Sequence, residues 1–208
     1  MKKIMFNDKY CLTQAVLNGT KTMTRRAVRR SLQDEYDSWY EDFLYKPVGE
    51  EKYLSVEEYV SKRTAYKVGE IVAIAQSYHN LNKSGYTAPE WLDHVCESSA
   101  GYENKMFVRA DLMPHHIRIT DVKAERLQDI SDKECLREGV KRASIGFYAE
   151  GVKVKDWEKE AHRETASGCL KLFPFPREAF AELIDKVCGR GTWESNPLVV
   201  AYSFELVD

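Results

Sequence analysis

Residues 19–26 of this chain combine side chains that could carry out chemistry. The segment reads GTKTMTRR and contains one lysine, three threonines and two arginines. A lysine beside a threonine can act as the base that activates a hydroxyl nucleophile for acyl transfer. A lysine beside arginines can equally bind phosphate. Two interpretations therefore stay open: Lys21 and Thr24 as a catalytic pair, or Lys21, Arg25 and Arg26 as a phosphate-binding patch.

The spacing of Lys21 and Thr24 makes the catalytic interpretation feasible. Lys21 lies three positions before Thr24, so that in a turn its amine can reach the Thr24 hydroxyl. An ordinary lysine has a pKa of roughly 10.4 and is a poor base at neutral pH. Burial and the charges of Arg25 and Arg26 would lower the pKa of Lys21 and make a neutral amine more accessible.

A short helix is predicted to position this segment. Apolar residues recur at helical spacing over residues 10–17, and Asn7 or Asp8 could cap the start of the helix. Gly19 follows at the position that a left-handed glycine takes after a helix. Residues 19–26 are therefore expected to form a turn that leaves the helix and gathers its polar side chains.

The remaining elements predict an α+β fold. Capping-box patterns at Ser55 and Ser131 mark two helix starts, and the second helix is predicted to end at Gly139. An amphipathic helix is predicted over 174–187, and an aromatic and acidic segment at 31–45 is either a helix or an irregular insertion. Short strands without a βαβ repeat predict a small sheet or barrel with helices outside it. The predicted strands are 71–75, 106–110, 116–121 and 198–206.

Composition limits the classes of function. The chain has 208 residues, is 43% hydrophobic and carries a net charge of −2. This charge excludes a globally basic nucleic-acid binder but allows a local basic patch. No apolar run is long enough to span a membrane, and charged residues follow the N-terminus too closely for a signal peptide. We therefore expect a cytoplasmic protein that does not associate with membranes.

Neither the cysteines nor the histidines predict a metal site. The five cysteines are an odd number and contain no CxxC pair, which argues against a disulfide framework or a cysteine-rich zinc site. His115 and His116 are adjacent on a predicted strand, where neighbouring side chains point to opposite faces. We predict no metal and no cofactor, and the sequence leaves the oligomeric state open.

The pattern Gly19-x-Lys21-x-x-Thr24-x-Arg26 resembles the signature of the ASCH domain, a family of small β-barrels with a PUA-like fold. The order of the other elements is similar too: Val68-Gly69-Glu70 before a strand, Ile119-Thr120-Asp121-Val122 followed by 125–131, and 193–197 before the last strand. The resemblance implies one domain over 1–208, a PUA-like barrel with surrounding helices. Insertions are then expected at about 32–66, 79–105 and 139–172.

This family is linked to RNA. One small bacterial branch removes the acetyl group of N4-acetylcytidine with a lysine and a threonine of the signature and a glutamate on a later helix. Lys21 and Thr24 match the first two positions, and Glu138 falls on the third because residues 127–131 align with the segment that leads to that helix. The resemblance thus implies an amidohydrolase acting on RNA or a modified nucleoside. A non-catalytic RNA-binding module and a ribonuclease are the alternatives.

Two assignments of roles are open within this implied trio. In one, neutral Lys21 is the base for Thr24, and Glu138 orients Lys21 or the cytosine amine. In the other, Glu138 transfers protons and Lys21 stabilises the oxyanion. In either case, Arg25 and Arg26 are predicted to bind substrate or RNA.

The chain also departs from the family pattern. Where many longer relatives have Glu-Thr-Trp after a barrel strand, this chain has Gln76-Ser77-Tyr78. Gln76 cannot act as a base but can form hydrogen bonds to a substrate. Tyr78 could stack on a base, with core packing as the alternative. Arg118, on an alternating strand, faces either the cavity or solvent.

Overall fold

The computed structural model describes residues 1–38, 54–83, 95, 97–153 and 170–208. Over these ranges the chain combines a five-stranded mixed sheet, a two-stranded hairpin and packed helices. The predicted α+β class is confirmed. No helix within the described ranges is long and apolar enough to cross a membrane.

Five strands form the main sheet, in the spatial order β1-β3-β4-β7-β2. Strand β1 is parallel to β3, and the other neighbours are antiparallel. A separate hairpin pairs β5 with β6. The strands are β1 (Lys3–Ile4), β2 (Met23–Ala27), β3 (Ile71–Ile74), β4 (His116–Arg126), β5 (Val140–Arg142), β6 (Phe147–Ala149) and β7 (Leu198–Leu206).

Helices connect and cover these strands. The capping boxes predicted at Ser55 and Ser131 are both present and begin α3 and α5. The predicted amphipathic helix is α6, which buries Phe180 and Leu183. The helices are α1 (Leu12–Leu17), α2 (Arg30–Ser38), α3 (Val56–Lys62), α4 (Tyr78–Lys83), α5 (Asp132–Arg137), α6 (Pro176–Cys188) and α7 (Thr192–Ser195).

The sheet is open, with β1 and β2 at its edges. Within the described residues these two strands do not pair with each other, so that the structure shows an open sheet and not a closed barrel. A side chain spans the gap instead: Arg26 of β2 donates a hydrogen bond to the carbonyl of Met5, just after β1. Its guanidinium also lies 5.7 Å from the centre of the Phe6 ring.

One continuous apolar core lies between the sheet and helices α1, α5 and α6. Helix α6 contributes Phe180 to this core. The strands contribute the apolar residues of their alternating patterns. Burial of these side chains is the main force that holds α1, α5 and α6 against the sheet. The largest fully buried members are Phe180, Ile4, Ile74, Ile117, Ile119, Leu127, Ile130 and Leu198.

Two predictions of local structure were wrong. Residues 106–110 are not a strand: they run from one 3₁₀ turn, Lys105–Phe107, to a second, Ala110–Leu112. The Lys3 ammonium binds the carbonyls of Met106 and Val108 at 2.6 Å each, which occupies acceptors that a strand would offer to a neighbour.

The second error concerns the insertion at 139–172, where no strand was predicted but the hairpin of β5 and β6 occurs. Strands of three residues are too short to show an alternating pattern. The segment predicted at 31–45 is helical as α2 up to Ser38, and the remainder of it lies outside the described residues. Residues 89–96, where the sequence also allows a helix, lie almost entirely outside them.

Candidate active site

The turn before β2 directs Lys21 into the protein. Gly19 has φ +70, a left-handed conformation that glycine adopts without strain, as its predicted position after the helix requires. The backbone amides of Thr20 and Lys21 both donate to the carbonyl of Ala15 at 2.9 Å. The chain therefore reverses tightly, and Lys21 is only 3% exposed.

Lys21 meets Glu138 in the interior. The Lys21 ammonium lies 2.6 Å from Glu138 Oε2 and 2.7 Å from the Glu138 backbone oxygen. Glu138 caps the C-terminal end of α5, and Gly139 then turns the chain with φ +108. A Cβ atom on Gly139 would lie 3.8 Å from the Lys21 side chain and 3.2 Å from Leu12. Glycine thus leaves room for Leu12 beside the turn that follows α5.

Arg25 holds the other oxygen of the same carboxylate. Its guanidinium has no exposed surface and lies 3.2 Å from Glu138 Oε1. It also contacts Glu125 at 2.5 Å and Glu134 at 3.2 Å. The structure therefore gives Arg25 the role of a positioning residue for Glu138. Arg25 also lines the small cavity, with its guanidinium occupied by three carboxylates, and its binding of substrate or RNA stays a prediction.

The predicted trio lines one cavity of about 250 Å³. Lys21, Thr24 and Glu138 all contribute to its wall, as a shared site requires. Thr24 is 5% exposed, and within the described residues its hydroxyl has no hydrogen-bond partner. The apolar part of the wall comes from the segment after β1 and from α6, through Met5, Phe6, Leu12, Phe180, Leu183, Ile184 and Val187.

Burial shifts the protonation equilibrium of Lys21. Desolvation lowers the pKa of Lys21 below its ordinary value, and the charges of Arg25 and Arg26 lower it further. The nearby Glu138 carboxylate opposes this shift without cancelling it. A neutral amine is therefore easier to form at Lys21 than at an exposed lysine.

Four buried charges surround the ion pair: Lys21, Arg25, Glu125 and Glu138, all at most 5% exposed. Two are positive and two are negative, so that the cluster is electrically balanced. Taking such charges out of water is costly even when they are paired. Buried ionisable groups with a shifted pKa at the wall of a cavity are a common feature of functional sites.

Arg26 lies between this cavity and a larger one. It lines the small cavity and also a second cavity of about 690 Å³. Its Nε atom is buried and has no hydrogen-bond partner among the described residues. Arg26 is therefore the cation of residues 19–26 that lines both cavities, and its binding of substrate or RNA stays a prediction.

The structure places three predicted ligand contacts away from the small cavity. Tyr78 is 5% exposed, packs near Val108 and accepts a hydrogen bond from the Arg109 amide at 3.0 Å, so that core packing is its role. Gln76 is also buried outside this cavity, although its Oε1 atom has no partner among the described residues. Neither residue lines the small cavity, and a contact of Gln76 with the substrate stays a prediction.

Arg118 lies on an exposed face of β4. Its side chain is 46% exposed and forms an ion pair of 3.1 Å with Glu205 on the neighbouring strand β7. The solvent-facing alternative is therefore the observed one. His116 pairs with Asp208 at 2.8 Å. The described part of the chain contains no group of three or more potential metal-binding side chains.

Two carboxylates of the site were not identified from the sequence. Glu125 is 5% exposed within β4, and Glu134 contacts Arg25 in addition to its capping role in α5. The signal for Glu125 was a charged residue directly beside a buried position of a strand, next to Ala124. The signal for Glu134 was masked, because its capping function already explained the residue.

Comparison with known proteins does not define a family. No family model matches the chain, and no curated protein matches its sequence. Among solved structures, the chain is similar to the crystal structure of protein EF3133 from Enterococcus faecalis V583, described as family model DUF984. The sequences are 16% identical, the TM-score is 0.38, and the match covers 100% of this chain and 81% of that one.

Proposed function

We propose that the small cavity is the active site of an amidohydrolase that removes the acyl group of N4-acylated cytidine. The observation that carries the proposal is the buried 2.6 Å contact of Lys21 with Glu138, in a cavity that also holds the Thr24 hydroxyl. The proposal includes an ASCH-like, PUA-like arrangement of the sheet. The side-chain bridge between Arg26 and Met5 at the two sheet edges supports that arrangement.

Thr24 is the nucleophile in this mechanism. Its oxygen attacks the acyl carbon as its proton passes to a neutral Lys21 amine. The C–N bond then breaks, the cytosine amine leaves with the proton from Lys21, and the acyl group remains as an ester on Thr24. Water hydrolyses this ester with Lys21 again as base, which releases the carboxylic acid and restores the enzyme.

The surroundings of Lys21 favour its role as the base over that of a fixed cation. Burial lowers the pKa of Lys21, which brings its neutral form closer to working pH. Glu138 is fixed by Arg25 on one oxygen and contacts Lys21 with the other, so that it orients the amine. Arg26 lines the cavity and supplies a positive charge near the developing oxyanion.

The proposal is tested by product analysis. Purified protein is incubated with N4-acetylcytidine, and cytidine and acetate are quantified by chromatography. We expect release by the natural chain and no release above background by Thr24→Val, which keeps the shape but removes the hydroxyl. Thr120→Val, at an exposed threonine of β4, is the matched control and keeps full activity. No release by the natural chain would reject the proposal.

RNA binding without catalysis is the second candidate. The observation that favours it is the set of three arginines in the larger cavity beside the site. Under this alternative, affinity for single-stranded RNA falls steeply with salt and is unchanged in Thr24→Val. A nucleoside hydrolase shows turnover that depends weakly on salt and is lost in the same variant.

A further inference from the structure

The larger cavity of about 690 Å³ lies directly beside the candidate active site. Both cavities share Arg26 and Ala27 of β2. Tyr202 of β7 lines the larger cavity and is the strand partner of Thr24, which lines the small one. The two cavities are therefore neighbours along β2.

The larger cavity has a strongly positive wall. Arg26, Arg29 and Arg63 line it together with the hydroxyl residues Ser31 and Thr64. Among the described residues of the lining there is no carboxylate, although the whole chain has a net charge of −2. Three cations in one concave wall whose described lining holds no carboxylate favour the binding of an anion.

Two arginines of this wall, Arg26 and Arg29, have donor groups without a partner among the described residues. Arg29 is exposed and forms no ion pair within the described part of the chain. The buried Nε donor of Arg26 also has no partner among the described residues. A buried donor without a partner is costly, and an anionic ligand would satisfy it. Arg63 lies 4.1 Å over the Tyr59 ring, which holds its guanidinium at the rim.

The volumes of the two cavities suit different parts of one ligand. Sites for small molecules usually enclose about 300–1,000 Å³. The small cavity of about 250 Å³ is below this range, whereas the larger one of about 690 Å³ is within it. The small cavity thus suits an acylated base edge, and the larger one suits the remainder of a nucleotide. Tyr66 and Tyr202, with ring centres 5.3 Å apart, give it an aromatic side.

We infer that the larger cavity is a phosphate-binding subsite, so that the substrate is a cytidine nucleotide and not a free nucleoside. Arg29 and Arg63 contact the phosphate, and Arg26 lies between it and the reacting base. The phosphate belongs either to a free mononucleotide or to a strand of RNA. The identity of the group in the small cavity rests on the proposed function, whereas the phosphate subsite is tested without turnover.

The test measures binding to the Thr24→Val protein, in which no substrate is consumed. Titration calorimetry compares N4-acetylcytidine, its 5′-monophosphate and a single-stranded RNA hexamer that contains one N4-acetylcytidine. We expect the two phosphorylated ligands to bind about tenfold or more tightly than the nucleoside at low salt, as charged hydrogen bonds would give. Arg29→Gln combined with Arg63→Gln removes this preference and leaves nucleoside affinity unchanged.

Two control variants test whether the preference for phosphorylated ligands depends on positive charge in the larger cavity. Arg118→Gln removes an exposed arginine on β4, away from both cavities, and leaves the preference intact. Arg29→Lys keeps the charge at an exposed position and retains part of the preference. Equal affinity for nucleoside and nucleotides, or a preference that survives the double variant, would overturn the inference.

The arms of the experiment also separate the sources of the phosphate and the two proposals. Equal affinity for the mononucleotide and the hexamer identifies a free nucleotide, whereas tighter, more salt-dependent hexamer binding identifies an RNA strand. Phosphate-dependent binding without acetate release by the natural chain rejects the proposed reaction and keeps the subsite. Turnover of nucleoside and nucleotide with equal KM keeps the reaction and rejects the subsite.

Discussion

The two cavities that share Arg26 and Ala27 of β2 use charge in opposite ways. In the small cavity every cation of the buried cluster is paired: Lys21 with Glu138, and Arg25 with three glutamates. In the larger cavity, Arg29 has no ion pair within the described residues. Paired buried charges fix geometry and resist change, whereas unpaired cations at a concave surface attract a ligand. The first arrangement is suited to chemistry and the second to binding.

The largest effect on stability is expected from the removal of one partner of the buried pair between Lys21 and Glu138. Glu138→Gln leaves Lys21 and Arg25 without their shared carboxylate, and we expect unfolding free energy to fall by about 3–5 kcal/mol. Urea denaturation measures this change. Glu205→Gln removes the partner of exposed Arg118 and is the control, with an expected cost of about 0–1 kcal/mol.

For the same measurement, Arg29→Gln is expected to change stability by no more than about 0.5 kcal/mol, as exposed substitutions usually do. A Glu138→Gln protein as stable as the natural chain would show that the buried pair is not a fixed framework. The distinction between the two cavities would then lose its basis.

A smaller effect is expected from filling the contact between α5 and Lys21. Gly139→Ala places a Cβ atom 3.2 Å from Leu12 at a positive φ of +108, so we expect a cost of about 1–2 kcal/mol and reduced kcat. Gly189→Ala is a matched control, because Gly189 has φ +116 but its Cβ would meet nothing within 4 Å. Both variants share the backbone strain, and only Gly139→Ala presses on Leu12, which lines the small cavity. Equal kcat in the two proteins would contradict the tight packing of Leu12 against Gly139.

The mildest perturbation is a change of pH alone. Since burial lowers the pKa of Lys21, kcat/KM should rise with pH through that lowered pKa and reach a plateau below the ordinary value of roughly 10.4. Lys21→Arg, which cannot supply a neutral base, should remove this rise. Arg29→Gln should leave the position of the rise unchanged, because Arg29 does not line the small cavity. A flat profile in the natural chain would contradict Lys21 as the base.

The lowered pKa of Lys21 also predicts how the free energy of unfolding changes with pH. The folded protein binds the Lys21 proton less tightly than the unfolded chain, so stability rises with pH between the lowered pKa and the unfolded value. Below that window both states hold the proton and the desolvation cost is present in full. The sign is thus opposite to that of a lysine stabilised by an exposed ion pair.

Local patterns predicted the frame of the site well. Gly19, the two capping boxes and the last strand at 198–206 all follow from short-range rules of turns, caps and alternation. The convergence of Lys21 with Glu138, 117 positions apart, needed the resemblance to ASCH domains, since no local pattern encodes a distant contact. Whether the trio is catalytic stays a prediction.

The errors share one physical cause. Residue type alone could not say which arginine of the adjacent pair is buried: Arg25 is enclosed by carboxylates and Arg26 lines both cavities. Likewise, Tyr78 lies in a second core cluster instead of the cavity. Such assignments depend on the partner that each side chain meets after folding, and periodicity identifies only the face on which a residue lies.

Trapping the acyl-enzyme tests most directly whether Thr24 is the nucleophile in the small cavity. The natural chain is mixed with N4-acetylcytidine, quenched within the first turnover, digested with trypsin and analysed by mass spectrometry. We expect an acetyl ester on Thr24 in the tryptic peptide 22–25. Thr22 of the same peptide and the peptide from Thr24→Val should carry no acetyl group. Cytidine release by the natural chain without any acetyl group on Thr24 would contradict it.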